Sequence, residues 1–171
     1  EAQTRRQAQH ANWMAFWQRI ADTPQTAFGA EQSEQTVFNL WQAMARSGDE
    51  SRASGWNRRF IERYFSKDVA DRMRLAMKPI WRNGRPTLRS ERPDDRKAEY
   101  ERRWQIGLSG IAAEAEDPEW AQNLSLQEAE LAARYAPLAI NGFPSWLESL
   151  AQAHPNAVDA VLGAELTAEL H

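Results

Sequence analysis

The sequence predicts an all-α fold, an irregular multi-helix bundle or a short helical-hairpin solenoid of roughly seven to nine helices. Large apolar residues recur at helical spacing: Trp13, Phe16, Trp17 and Ile20, then Val37, Leu40, Trp41 and Met44, fall at i, i+3, i+4 and i+7. That spacing puts each set on one face of a 3.6-residue helix. The stripes are separated by Ser, Pro and Gly at positions where helices start and stop. No stretch alternates apolar and polar residues long enough to read as a strand.

The first helix is expected over residues 3–21, stopping before Pro24. Ser33 reads as the N-cap of a second, which ends near Gly48 in the left-handed conformation that often closes helices. Ser54 is the expected cap of a third, with Trp56, Phe60, Ile61 and Tyr64 inward. Ser66 caps a fourth carrying Val69, Met73, Ala76, Met77 and Ile80, its last turn weakened by Pro79. Residues 82–93 (RNGRPTLRSERP) hold one glycine and two prolines and read as an irregular connection. A long fifth helix is expected over 94–116, with Tyr100, Trp104, Leu108, Ile111 and Ala115 on one face.

Asp117-Pro118 opens the next turn, because proline suits a first helical position where its missing N–H costs nothing. Ser125 and Glu128 form a capping box, and the helix they start is expected to end at Asn141-Gly142. Pro144 starts another through Trp146, Leu147 and Leu150, and Pro155 starts the last. The segments Pro118-Glu119-Trp120 with Leu124 and Pro144-Ser145-Trp146 with Leu150 echo one another. They read either as a helical-hairpin repeat or as proline starting helices and tryptophan filling cores, and the second reading is preferred. Trp13, Trp17, Trp41, Trp104 and Trp146 are expected in the core.

The chain has 171 residues, eight of them tryptophan, and is 42% hydrophobic. It suits one domain, residues 1–171, with a sizeable core. Two sub-units, 1–81 and 94–171, could be joined by the Arg-rich connection 82–93. No apolar run approaches a membrane span of ~18 residues, and no signal peptide is visible in the polar start. A cytoplasmic setting is expected. Zero cysteines exclude a disulfide framework and thiolate chemistry. The missing initial methionine and the lack of a catalytic set favour a fragment of a larger protein.

Charge is unevenly spread. Residues 46–103 carry 17 basic and 10 acidic side chains, whereas 104–171 carry 1 basic and 10 acidic. One reading is an anion- or nucleic-acid-binding surface, with Arg58, Arg59, Arg82, Arg85, Arg89 and Arg92 offering guanidinium forks to phosphates. Trp56, Phe60 and Trp81 would then be available for base stacking. The other reading pairs the basic segment internally with the acidic one. Glu62 lies near Arg58 and Arg59, and Asp68 near Arg72, at helical ion-pair spacing. Internal pairing is preferred, since nucleic-acid domains usually show a net basic balance.

Chemistry is hard to place on this chain. His10, His154 and His171 are scattered, and none pairs with another at i+3 or i+4, so no metal site is expected. Carboxylate pairs such as Glu114 with Asp117, and Asp68 with Asp71, fall at helix surface and cap positions. No Glu-x-x-His motif, serine elbow or Gly-Lys phosphate loop occurs. Gly107-Leu108-Ser109-Gly110 lies inside the fifth helix and is read as close helix packing. No enzyme activity and no cofactor are expected.

Four runs, SRASGWNRRFIERYF (51–65), RPTLRSERP (85–93), GIAAEAEDPEWA (110–121) and NGFPSWLESLAQAHPNAV (141–158), resemble segments of large uncharacterised bacterial proteins. In such proteins similar helical regions accompany a NACHT or related STAND-type nucleotide-hydrolysing module, and some members are suspected of acting in antiviral defence. The resemblance implies a helical scaffold or sensor region and carries over no catalytic residue. The expected role is a non-catalytic interaction or sensing module, partnered by other domains of its parent protein or by another protein, and not by a membrane. The alternative is a nucleic-acid or anion-binding domain built on the arginine-rich middle.

Overall fold

A computed structural model describes residues 2–46, 55–93, 95, 102–139 and 142–170, without the side chains of residues 2, 9, 12, 13, 89 and 164–170. The described residues form nine α-helices: α1 Ala2–Asp22, α2 Pro24–Ala27, α3 Ser33–Arg46, α4 Arg58–Tyr64, α5 Lys67–Asn83, α6 Arg102–Glu114, α7 Leu126–Tyr135, α8 Trp146–Ala153 and α9 Pro155–Leu170. Short 3-10 turns at Arg89–Glu91 and Ala136–Leu138 complete the order, and no strand occurs among the described residues. The fold is the all-α bundle that the apolar spacing predicts.

Several starts follow the cap chemistry. Ser66 Oγ accepts from the Val69 amide at 3.1 Å, and Asn57 Oδ1 accepts from the Phe60 amide at 3.1 Å. At α7 the capping box is complete: the Glu128 amide donates to Ser125 Oγ at 3.1 Å, and the Ser125 amide donates to Glu128 Oε1 at 3.0 Å. Each cap satisfies an amide that the first helical turn leaves without a partner.

Other boundaries differ from expectation. The cap of α4 is Asn57; Ser54 and Gly48 lie outside the described residues, as do Asp94 and Tyr100. Helix α5 runs through Pro79 to Asn83, so Arg82 is helical and the irregular connection begins at Gly84. Proline there leaves only the Leu75 carbonyl without a helical donor, and both residues lie on the exposed side, where water can take its place. Helix α7 ends at Tyr135, well before Asn141-Gly142, because Pro137 has no N–H to continue the ladder and the chain tightens into a 3-10 turn. Residues 117–124 form consecutive turns rather than a helix, so the two proline-tryptophan segments are not copies of one structural unit.

The core divides into two apolar clusters, and α5 with α6 lies between them. Ile20, Val37, Leu40, Met44, Ile61, Met73 and Met77 build one with Ile106 and Ala113 of α6. Trp81 joins Trp104, Leu108, Ile111, Tyr135, Trp146, Leu150 and Leu162 in the other. The α5–α6 pairing is the most extensive in the molecule, and it joins the two sub-units on either side of the irregular connection. Glycine makes this approach close. A Cβ on Gly107 would stand 2.5 Å from the Tyr135 ring, and one on Gly110 would stand 3.0 Å from Met77 Cβ. The Tyr135 hydroxyl donates to the Trp81 carbonyl at 2.8 Å, and burial pushes that hydroxyl's pKa well above the usual tyrosine value.

Trp104 and Trp146 are buried, as are Trp56, Trp81 and Trp120, whereas Trp17 and Trp41 are half-buried. The Trp13 side chain is outside the described ones. Trp41 keeps its Nε1 hydrogen bonded, donating to Ser109 Oγ at 3.0 Å. Tyr64, expected inward, is 60% exposed. It follows Phe60 by four residues at the end of a two-turn helix, where Ile61 takes the buried position.

Candidate functional site

The arginine-rich middle and the acidic end of α6 meet. Glu114, expected on a solvated surface, has a side chain only 5% exposed and receives both arms of Arg82, at 2.8 and 3.1 Å. Trp81 Nε1 also donates to Glu114. The second carboxylate on Arg82 belongs to Glu128, at 2.7 Å, so one guanidinium ties α5 to α6 and to the capping box of α7. That guanidinium lies 4.4 Å from the Trp81 ring centroid, a stacked geometry that suits its flat, weakly hydrated face. Burial disfavours the charge on Arg82, but the bonds from Glu114 and Glu128 outweigh it and raise its pKa. On Glu128 the Ser125 amide, then Arg82, holds the carboxyl below the usual range.

A second junction centres on Glu116. Arg58 donates to it through Nε at 2.8 Å and Nη2 at 3.0 Å, and Trp56 Nε1 donates at 2.9 Å. Arg58 also reaches Asp71 at 2.8 Å and Glu62 at 3.4 Å. From α5, Arg74 donates to the Ala113 and Glu114 carbonyls at 2.8 and 3.1 Å, closing the C-terminus of α6 with positive charge where the helix dipole favours it. The Glu116 bond raises the Arg58 pKa above its ordinary value. Burial opposes the charge on Glu116, yet its bonds from Arg58 and Trp56 hold the carboxyl below the usual range.

The irregular connection is strapped down in the same way. Arg134, the one basic residue after position 103, grips Glu91 at 2.8 and 3.2 Å and the Pro86 carbonyl at 3.1 Å. The Leu88 amide donates to Glu91 Oε1 at 2.8 Å. Together these hold the Glu91 carboxyl down to about 2, the Arg134 bond first and the Leu88 amide second. Arg92 donates to Thr87 Oγ1 at 3.0 Å and to its carbonyl at 2.6 Å, with its guanidinium 5.9 Å from the Trp104 ring.

Thus Arg58 and Arg82 lie in separate buried-edge junctions, Arg92 folds back on its own loop, and Arg59 and Arg85 are exposed. The Arg89 side chain is outside the described residues. The structure brings these arginines to acids more than to one another. The pairing of the basic with the acidic segment was legible in their charges; the partners Glu114 and Glu116 were not, because nothing local distinguishes a buried helix-end acid from a solvated one.

An apolar opening lies elsewhere. A groove of about 440 Å³ runs between α1, α3 and α4, lined by Met14, Trp17, Ala21, Ala43, Tyr64 and Phe65 among others. Met14 is 53% exposed beside the exposed Tyr64, and the Trp17 and Phe65 rings pack at 5.1 Å. Arg63 lies 5.4 Å from the ring of Tyr64, which lines the groove. The groove's aromatics were read as core because a helical stripe looks the same whether a neighbouring helix covers it or not.

Among the described residues no three His, Asp or Glu side chains converge to hold a metal ion, and no helix is long and apolar enough to cross a membrane. His154 Nε2 is spent on the Ala121 carbonyl, at 2.8 Å, where it fastens the 117–124 turns to the α8–α9 junction. No family model matches this chain, and no curated protein or solved structure matches it.

Proposed function

We propose that this chain is a non-catalytic helical interaction and sensing module of a larger bacterial protein, working in the cytoplasm beside a NACHT or STAND-type nucleotide-hydrolysing region. The groove between α1, α3 and α4 carries the reading. Its exposed Met14 and Tyr64 leave apolar surface in water, which folded chains keep small unless something covers it. A groove between helices, with an adaptable methionine on its wall, suits the apolar face of an amphipathic helix. Arg63, beside the Tyr64 ring, favours a helix with an acidic flank. The partner is another part of the parent protein or a second protein.

The alternative, an anion- or nucleic-acid-binding domain, retains Arg59 and Arg85 as exposed cations. It draws less support, because Arg58 and Arg82 already satisfy carboxylates within the bundle. A photo-crosslinking residue in place of Tyr64, in the full-length parent protein, tests the groove. The expected product is one adduct that maps to a helical segment and disappears in a Met14→Glu background. No adduct, or adducts indifferent to Met14→Glu, would overturn the docking reading.

A further inference from the structure

A second opening lies where the chain leaves α6. It is a cavity of about 290 Å³ walled by Trp56, Trp120 and Trp146, with Ser145 and Ser149 on one side and Glu116 and Asp117 at its polar edge. Three indoles around one small cavity form the surface that attracts a methylated ammonium ion, whose diffuse charge is drawn to aromatic rings and whose methyl groups are easily desolvated. The volume is at the low end for small-molecule sites, enough for a few heavy atoms and too small for a large cofactor.

Two further features select a cation. Glu116 is neutralised by Arg58, at 2.8 and 3.0 Å, but Asp117 at the rim is exposed, and its Oδ1 accepts only the Glu119 amide, at 3.0 Å, among the described contacts. The surrounding part of the chain, from residue 104 onward, is strongly acidic. Trp120 and Trp146 are 5% and 4% exposed and stand edge-to-face at 5.8 Å, so each fixes the other's ring in the cavity wall.

We infer that this cavity is a binding site for a small quaternary-ammonium compound, with Asp117 as counter-ion. The inference is independent of the groove, which lies on other helices. Choline is the probe. In two-dimensional NMR of the 171-residue chain, choline should shift the indole N–H signals of Trp56, Trp120 and Trp146 saturably, with a dissociation constant of roughly 1–10 mM. Its neutral carbon isostere, which keeps the shape and hydroxyl but lacks the charge, should bind at least about tenfold more weakly. Asp117→Asn preserves the oxygen that accepts from Glu119, so it should leave the melting temperature unchanged while weakening choline roughly fivefold. Equal binding of choline and the isostere, an unaffected Asp117→Asn variant, or no saturable shift of these indoles would overturn the assignment.

Discussion

Removing Arg82 tests the junction of α5, α6 and α7. In Arg82→Met the hydrocarbon stem remains, but Glu114 loses both guanidinium contacts and, among the described residues, keeps only the Trp81 indole as a hydrogen-bond donor. Its side chain is 5% exposed, so water cannot replace what is lost. Breaking a buried pair by deleting one partner typically costs about 3–5 kcal/mol. Arg82 and Glu128 are each about one-third exposed, which admits some solvent and places the expected cost near the lower end, at about 3 kcal/mol. With a urea slope of about 2 kcal/mol/M, that moves the midpoint by roughly 1.5 M. The source of the penalty is the stranded carboxylate, so Arg82→Met with Glu114→Gln should recover about 1–2 kcal/mol of it. Urea titrations followed by tryptophan fluorescence and far-UV circular dichroism would measure all three variants. A single-variant cost below about 1 kcal/mol, or strictly additive effects, would refute the argument that Glu114 depends on Arg82.

Gly107→Ala forces a methyl against the Tyr135 ring and Trp81, and the gain in helix propensity offsets only part of the overlap; a net loss of about 1–3 kcal/mol in the same titration is expected. Ser125→Ala opens the α7 capping box and should cost about 1 kcal/mol by thermal denaturation. Glu91 has a folded-state pKa held down to about 2 from 4.5, so its contribution is full above about pH 4.5 and fades as pH falls toward 2. Because its side chain is 43% exposed, that contribution should be at most about 1 kcal/mol, read as the difference between wild type and Glu91→Gln at pH 6, which should shrink through pH 2 and vanish below it.

What the sequence made legible was local chemistry. Ser66, Ser125 and Pro155 act through the few residues that follow them, and the structure places helix starts there. The glycines of α6 were legible too, since residues without side chains inside a helix imply close approach. Helix ends were less so: Pro137 stops α7 early, whereas Pro79 is absorbed because water can serve the carbonyl it leaves. The long-range partners were hidden. Glu114 becomes a buried anchor only because α5 lays Trp81 and Arg82 across the end of α6, and Tyr64 becomes surface only because Ile61 takes the inward side of a short helix. The cavity among Trp56, Trp120 and Trp146 assembles from three separate segments of the chain, beyond the reach of any periodicity.

Arg58, Arg74 and Arg82 of the basic middle are tied to acids and carbonyls of the bundle, which leaves Arg59 and Arg85, among the described candidate arginines, exposed for nucleic acid. Filter-binding titrations of single- and double-stranded DNA and RNA at two salt concentrations test this most directly. Weak binding or none is expected, with dissociation constants above roughly 10 μM at physiological salt. Submicromolar binding that falls steeply with salt, and that Arg85→Glu with Arg59→Glu abolishes while the helices stay folded, would contradict it.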